Sequence, residues 1–592
     1  MLRISPRTRT SVLALLLVCL LAPHYLSAAQ QRTRANSSFK RPRLVLLIVA
    51  DQFRYDYLER FGDLFGEKGL KRLMREGASW VDANYDHFPT YTAPGHATLL
   101  TGAYPAANGI VGNEWPDRDT GKKVSSVSDG TALVLGGSHT ETGASPRRLL
   151  ASTLGDELRL STNDRSKVIG IALKDRAAIL PPGRHANAAY WYSPEAGAMI
   201  SSDYYFKELP AWVTKFNAQR PADRFFKAKW ERLLAPEEYL KRAGPDSPPW
   251  EDIGKVAGET NSFPHTITGG ADKTGPKFYE AVQFSPFGNE IELSFAKQTI
   301  EVEDLGRDED TDVLSISFDS NDFVGHRYGP FSQEVMDITL RFDQQVAELL
   351  DFVDARIGLS NTIVVFTADH GVAPIPKQVL TAGLAAGRAD YAEIQRRVRA
   401  AISARYNRQA KSPDPTADYL YRYDDSGKTS EAIINNNIYF NLEALRRDRV
   451  DVEEAERVAG EAALTVPGVA RYFTRGQLLR GGALASSAKD SSVDPVARRV
   501  QHGFFARRSG NVIFVTEPYT YSSTAINATH GSPYSYDTHV PLIIRGSGVA
   551  GGRYFQPATP ADIAPTLAAI LRIQAPSNVT GRILLEALSG KD

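Results

Sequence analysis

Six residues with metal-binding side chains stand at points where a chain of alternating strands and helices would bring them together. Asp51 closes the apolar run Leu44 to Ala50, Asp322 and His326 follow the run Val313 to Phe318 in the form D-F-V-G-H, Asp369 and His370 follow Ile363 to Phe366, and His530 opens H-G-S-P-Y. Three carboxylates and three imidazoles are oxygen and nitrogen donors of the kind that suits zinc, and six of them suit two zincs better than one. Taken singly, an aspartate after a strand also reads as a helix cap, and a lone histidine as a structural residue. The set together is what points to metal chemistry.

A nucleophile candidate lies in P-T-Y-T-A-P-G-H-A-T, where Thr92 precedes Pro94 at the start of a predicted helix running to Thr101. Two readings fit this spacing. Thr92 is the N-cap of that helix, with proline in the first turn, or its hydroxyl stands at an anion-attracting helix N-terminus and is activated by a metal that removes its proton. Lys174 and Arg176, in G-I-A-L-K-D-R, follow the apolar run Val168 to Leu173. In an extended chain residues two apart share a side, so both cations would converge on one spot; alternatively they are solvated charges flanking Asp175.

These residues need a scaffold. The apolar runs, together with Pro541 to Ile544, are short and rich in β-branched residues, as buried strands are. Helical patterns separate them, the clearest from Ser332 to Ile357, where Val335, Ile338, Phe342, Val346, Leu349 and Leu350 recur at three- and four-residue steps. The expected fold is therefore α/β, a mostly parallel central sheet with helices on both faces and ligands at the carboxyl ends of its strands. Two stretches break the alternation, about 185–304 and about 373–510, and are expected to be insertions forming a cap over a catalytic domain that spans 41–592.

The chain has 592 residues, 42% of them apolar and 23% charged, the mixture of a globular protein. Arg3, Arg7 and Arg9, the apolar run Val12 to Ala22 and the small residues Ser27 to Ala29 have the order of a signal peptide, residues 1–29, so a periplasmic or extracellular location is expected. The run is short for a membrane span, which needs roughly 20 residues, and stable membrane insertion is not expected. Cys19, the only cysteine, falls inside that segment, which excludes cysteine nucleophiles and cysteine-based metal sites from the mature chain. Basic and acidic residues number 69 each, and loss of the three arginines leaves 66 against 69. A balance so close to neutral gives no electrostatic case for nucleic acid.

The set Asp51, Thr92, Asp322-x-x-x-His326, Asp369-His370 and His530 resembles the alkaline phosphatase superfamily, in the branch shared by nucleotide pyrophosphatase/phosphodiesterases and bacterial phosphate-irrepressible alkaline phosphatases. The resemblance runs through most of the mature chain. It implies one zinc held by Asp322, His326 and His530 and a second held by Asp51, Asp369, His370 and the Thr92 oxygen, the two about 4 Å apart so that both ends of an in-line displacement are clamped. It further implies that Thr92 is transiently phosphorylated and that Asn113, in G-I-V-G-N-E-W, donates to a nonbridging phosphoryl oxygen; by itself Asn113 reads as a turn residue. Phosphatases of this branch carry a Lys-x-Arg pair at Lys174 and Arg176, and typical diesterases do not. The pair suits a monoester, whose three nonbridging oxygens carry nearly two charges.

The function expected is thus a secreted alkaline phosphatase acting on small phosphate monoesters through a phosphothreonine at a two-zinc site. A phosphodiesterase or nucleotide pyrophosphatase on the same site is the alternative within the class. An inactive exported metal- or carbohydrate-binding protein is the alternative outside it. A sulfatase is disfavoured, because T-A-P-G-H stands where that family has C/S-x-P-x-R. The natural substrate and the oligomeric state are not legible in the sequence.

Overall fold

A computed structural model describes residues 41–138, 141–251, 260–406, 418–421, 432–481, 494–521 and 527–588. The expected signal segment and Cys19 lie outside the described residues. Ten strands form the main sheet: Leu44–Ala50 (β1), Ala78–Trp80 (β2), Val134–Leu135 (β3), Val168–Ala172 (β4), Ala188–Ser193 (β5), Ala198–Ser202 (β6), Asp312–Phe318 (β7), Thr362–Thr367 (β8), Leu542–Arg545 (β9) and Gly552–Tyr554 (β10). Their spatial order is β10-β2-β9-β8-β1-β7-β4-β5-β6-β3. The five central strands, β8-β1-β7-β4-β5, are parallel, and each of β1, β4, β7 and β8 is buried along its whole length. Continuous apolar runs are what a sheet covered on both faces demands.

The register decides where chemistry can occur. Ala50 lies opposite Phe318, Val49 opposite Thr367, and Ile316 opposite Ile171. The chains leaving β1, β7, β8 and β4 therefore emerge side by side, carrying Asp51, Asp319, Asp369 and Lys174. Five helices matter for the site: Thr92–Thr101 (α1), Asp175–Ile179 (α2), Pro286–Val302 (α3), Ser320–Tyr328 (α4) and Gln333–Arg356 (α5). The last matches the expected periodic segment, and the Ser332 hydroxyl caps it by accepting from the Val335 N–H.

One strand departs from the parallel majority, and one boundary needs correction. The run near 541–544 does form a strand, β9, but it pairs antiparallel with β8 and with β2, because its connection arrives from the opposite end of the sheet. The stretch expected to leave the sheet at 185 continues it: β5 extends the parallel set and β6 returns beside it. Their aromatic residues, Tyr190, Trp191 and Tyr192, are buried, and aromatic strands carry a weaker periodic signal than the aliphatic ones. The 373–510 stretch holds strands Ile433–Ile434, Asn437–Ile438 and Val469–Thr474, which join Val512–Thr516 in a separate antiparallel sheet. Its own core includes Ile394, Val398, Leu445, Ala459 and Phe514.

Candidate active site

Thr92 is the first residue of α1, and the N-cap position belongs to Tyr91. The Thr92 side chain therefore does not cap the helix, which removes one of the two readings its spacing allowed. Its Oγ instead lies 3.5 Å from His370 Nε2, in a site where Thr92 is only 1% exposed. Helix α1 reaches this place because Gly95 has no side chain: a Cβ there would stand 2.2 Å from the Asp369 carbonyl oxygen.

The three carboxylates and three imidazoles converge. Asp322 and His326 are not in a loop but one turn apart on α4, which places both on one face. His326 Nε2 lies 3.2 Å and His530 Nε2 3.8 Å from Asp322 Oδ1, while His370 Nε2 lies 3.1 Å from Asp369 Oδ2 and 3.5 Å from Asp51 Oδ1. The rings of His370 and His530 stack at 3.5 Å between centroids. Among the described residues, two groups offer three donor atoms within 4.8 Å of one another: Asp322, His370 and His530, and Asp51, Asp369 and His370. His370 is thus common to both groups, and His326 adjoins the first through Asp322.

This donor set fits metal ions. The Nδ1 atoms of His326, His370 and His530 lie 2.7, 2.9 and 2.7 Å from the carbonyl oxygens of Ala528, Gly371 and Thr90. A carbonyl only accepts, so a ring proton sits on Nδ1 of each, and Nε2 is the nitrogen turned toward the carboxylates, the one that ligates a cation once it carries no proton. Asp51 Oδ1 and Asp369 Oδ2 are buried without a hydrogen-bond partner, and such oxygens are costly unless a cation meets them.

The electrostatics are uneven. Burial, then Asp369, pushes the Asp51 carboxyl well above the usual carboxylate range. Burial acts the same way on Asp322 and Asp369, but His326 and Lys174 outweigh it at the first and His370 and His96 at the second, holding both well below that range. Burial, then the neighbouring His370, keeps His530 well below the ordinary imidazole value.

Lys174 and Arg176 do not occupy an extended segment. Lys174 is the N-cap residue of α2 and Arg176 lies in its first turn, so the strand has ended before the two cations begin. Lys174 is buried, with Nζ 2.6 Å from Asp51 Oδ2 and 2.5 Å from Asp322 Oδ2, one carboxylate from each donor group. Arg176 is partly exposed; its Nε is buried without a partner and its guanidinium lies 3.7 Å from Asp175. Asn113 Oδ1 accepts from the Ala93 N–H at 2.8 Å, in the first turn of α1. The oxygen of that amide is occupied, and its N–H₂ is the end left for a ligand.

Sequence reasoning missed a supporting network. His96 Nδ1 lies 3.0 Å from the Thr92 carbonyl and 3.4 Å from Asp369 Oδ2; its Nε2 lies 3.0 Å from Ser317 Oγ, which donates to Asp319 Oδ1 at 2.6 Å. Asp319 Oδ2 accepts from the Lys174 N–H at 2.6 Å, and Glu292 on α3 accepts from the neighbouring Leu173 N–H at 2.7 Å. Gln52 donates to Asp322 Oδ1 at 2.5 Å. His96, four residues after Thr92 on the same helix face, carried a usable signal; Glu292 and Gln52 did not.

With this geometry in view, similarity to known proteins is informative. The family model described as type I phosphodiesterase / nucleotide pyrophosphatase matches residues 45–529. Alkaline phosphatase PhoV of Synechococcus elongatus is 34% identical over 548 residues, 93% of either chain. A protein of Myroides odoratus named calcium-transporting ATPase is 36% identical over 94% of this chain and 96% of its own. The crystal structure of wild-type alkaline phosphatase PafA superposes with a TM-score of 0.83 at 32% identity, covering 93% of this chain and 100% of that one.

Proposed function

Because the chain belongs to the type I phosphodiesterase / nucleotide pyrophosphatase family, we propose that it is an alkaline phosphatase of that family, hydrolysing phosphate monoesters through a phosphothreonine at a two-zinc site. The observation that carries this reading is the surrounding of Thr92 Oγ. The hydroxyl has no capping role, and 3.5 Å from it stands Nε2 of His370, the residue common to both donor groups, beside which Asp51 and Asp369 each keep a buried carboxylate oxygen without a hydrogen-bond partner. Asp51, Asp369 and His370, with Thr92, would hold one metal and Asp322, His326 and His530 the other. Bound metal would lower the pKa of the threonine hydroxyl and neutralise charge on the leaving oxygen.

The remaining steps belong to the chain. Thr92 Oγ attacks phosphorus in line with the departing alcohol, the phosphorus–oxygen bond to that alcohol breaks, and Thr92 becomes a phosphoester. Water then attacks the same phosphorus, releasing inorganic phosphate and returning the hydroxyl. Asn113 donates through its N–H₂ to a nonbridging oxygen, while the N-terminus of α1 favours the anion. Lys174 and Arg176 oppose the second charge of a monoester, and Arg176 Nε has no protein partner to give up. The 373–510 stretch serves as the cap. The N-terminal residues direct export, with a mature start near Gln30; among the described residues no helix is long and apolar enough to cross a membrane.

The test is a substrate panel on zinc-loaded protein: an aryl monoester, the matching aryl methyl diester, and ATP, with elemental analysis and chelation alongside. The expected result is two zincs per chain, reversible loss of activity on chelation, and kcat/KM highest for the monoester. A diester preferred over the monoester would overturn the phosphatase reading in favour of a diesterase, and zinc bound without turnover of any ester would leave a binding protein.

A further inference from the structure

Three consecutive asparagines in the 373–510 stretch, Asn435, Asn436 and Asn437, form the tip of a hairpin. Ile433 pairs with Ile438 and Ile434 with Asn437, so the turn has only two residues, Asn435 and Asn436, with φ of +51° and +60°. Two successive left-handed residues make the mirror-image turn that suits the twist of a hairpin, and asparagine tolerates it at some cost in strain. The strain is held by side chains. Tyr391 Oη donates to Asn436 Oδ1 at 2.6 Å and accepts from the Asn436 N–H at 3.0 Å, Asn437 Oδ1 accepts from the Gly510 N–H at 2.8 Å, and Asn437 Nδ2 donates to the Asn435 carbonyl at 2.7 Å.

The tip is pressed against the loop that carries Asn113. Asn435 Nδ2 donates to the Glu114 carbonyl at 2.7 Å. The approach is so close that a Cβ at Gly112 would lie 2.4 Å from the same nitrogen. Arg508, from the same stretch, donates to the Gly109 carbonyl at 2.5 Å and holds its guanidinium 4.9 Å from the Trp115 ring centroid. The loop is therefore gripped at Gly109 and at Glu114 from outside the main sheet, while Asn113 between them meets α1 through the Ala93 N–H.

We propose that Asn435 is a positioning residue for phosphoryl transfer: the hairpin tip holds the 109–114 backbone so that the Asn113 amide stands where a nonbridging phosphoryl oxygen will be. The inference rests on the role of Asn113 under the proposed function. It makes the cap stretch part of the transition-state machinery as well as a cover.

The experiment is a double-mutant cycle on zinc-loaded protein, reading kcat/KM for an aryl monoester. Asn435→Gly removes the amide and is at ease at positive φ, so the hairpin persists; Gly112→Ala attacks the same contact from the other side. Displacing a reacting contact by a fraction of an ångström to an ångström costs roughly ten- to a hundredfold. The expected result is a loss of about tenfold or more for Asn435→Gly and for Gly112→Ala in the wild-type background, and less than about twofold when Asn113 is already alanine. Three outcomes would overturn the inference. Asn435→Gly within about twofold of wild type while Asn113→Ala is impaired would show that the grip is dispensable. Equal losses in both backgrounds would mean that the hairpin acts through the fold generally. Unimpaired Asn113→Ala would remove the role of Asn113 itself, and with it that of Asn435, without touching the assignment of Thr92.

Discussion

Strand β7 has buried aspartates at both of its ends, and they live in opposite surroundings. At the amino end Asp312 accepts from the backbone N–H groups of Gly306 and Lys167, at 2.8 and 2.7 Å. Beyond the carboxyl end, Asp319 and Asp322 meet Lys174, His96 through Ser317, His326 and His530. Burial comes first in both places and raises Asp312, to about 6, and Asp319 as well, whereas at Asp322 the neighbouring His326 and Lys174 outweigh it and hold the carboxyl well below the usual range. A buried carboxylate is therefore not by itself a functional sign. What marks the carboxyl end is convergence, because parallel register delivers four neighbouring chains to one level there.

The comparison is broken most severely at Thr92. Under the proposed function, Thr92→Ala is expected to remove nearly all turnover while zinc stays largely bound, since Asp51, Asp369 and His370 remain and the oxygen lost is the attacking one. Steady-state kinetics beside elemental analysis would check it; activity within about tenfold of wild type, a barrier change of only about 1.4 kcal/mol, would transfer the nucleophile's role elsewhere.

The cations at the carboxyl end come next. Under the proposed function, removing both Lys174 and Arg176 would delete two charge-assisted contacts to the phosphoryl oxygens, each worth roughly 1.5 to 3 kcal/mol, or roughly two to four orders of magnitude together in monoesterase kcat/KM. A diester, with less charge, should lose much less. Equal losses on an aryl monoester and an aryl methyl diester would mean that the pair supports the site without selecting the substrate. The single variants sharpen this further: Lys174 bridges Asp51 and Asp322, so Lys174→Ala should change zinc affinity, whereas Arg176→Ala, whose side chain touches no donor group, should leave it as it is.

The smallest effect is expected at the amino end and concerns stability alone. The folded value of Asp312, about 6, lies above the unfolded value of about 3.9, so the folded state binds the proton more tightly. Its contribution to stability is present in full below the unfolded value and is lost as pH rises towards and through the folded one. Asp312→Asn removes that titration. Relative to the variant, wild type should lose on the order of 2 kcal/mol between about pH 4 and pH 7, measured by denaturant unfolding at several pH values, with catalysis unchanged. A difference between the two proteins that does not vary with pH would show that Asp312 is not the titrating group.

Sequence alone determined the frame of this protein. Runs such as Leu44 to Ala50 and Val313 to Phe318 are apolar at every position, which only a strand covered on both faces requires, and each ends near a polar residue whose place is then known. The helix beginning at Thr92, the long helix to Arg356 and the metal-donor types were legible for the same reason: period, caps and donor chemistry are local. Tertiary structure decided everything that depends on two distant segments meeting. It turned β9 antiparallel, added β5 and β6 to the sheet, and ended the strand before Lys174, so that this lysine stands at the N-cap position of a helix and bridges Asp51 and Asp322. It also joined His96 to Asp319 through Ser317, and brought Asn435 to the Glu114 carbonyl across 321 residues. No spacing encodes such contacts, because they are fixed by packing and register, which arise only when the whole sheet and the segments packed against it close on one another.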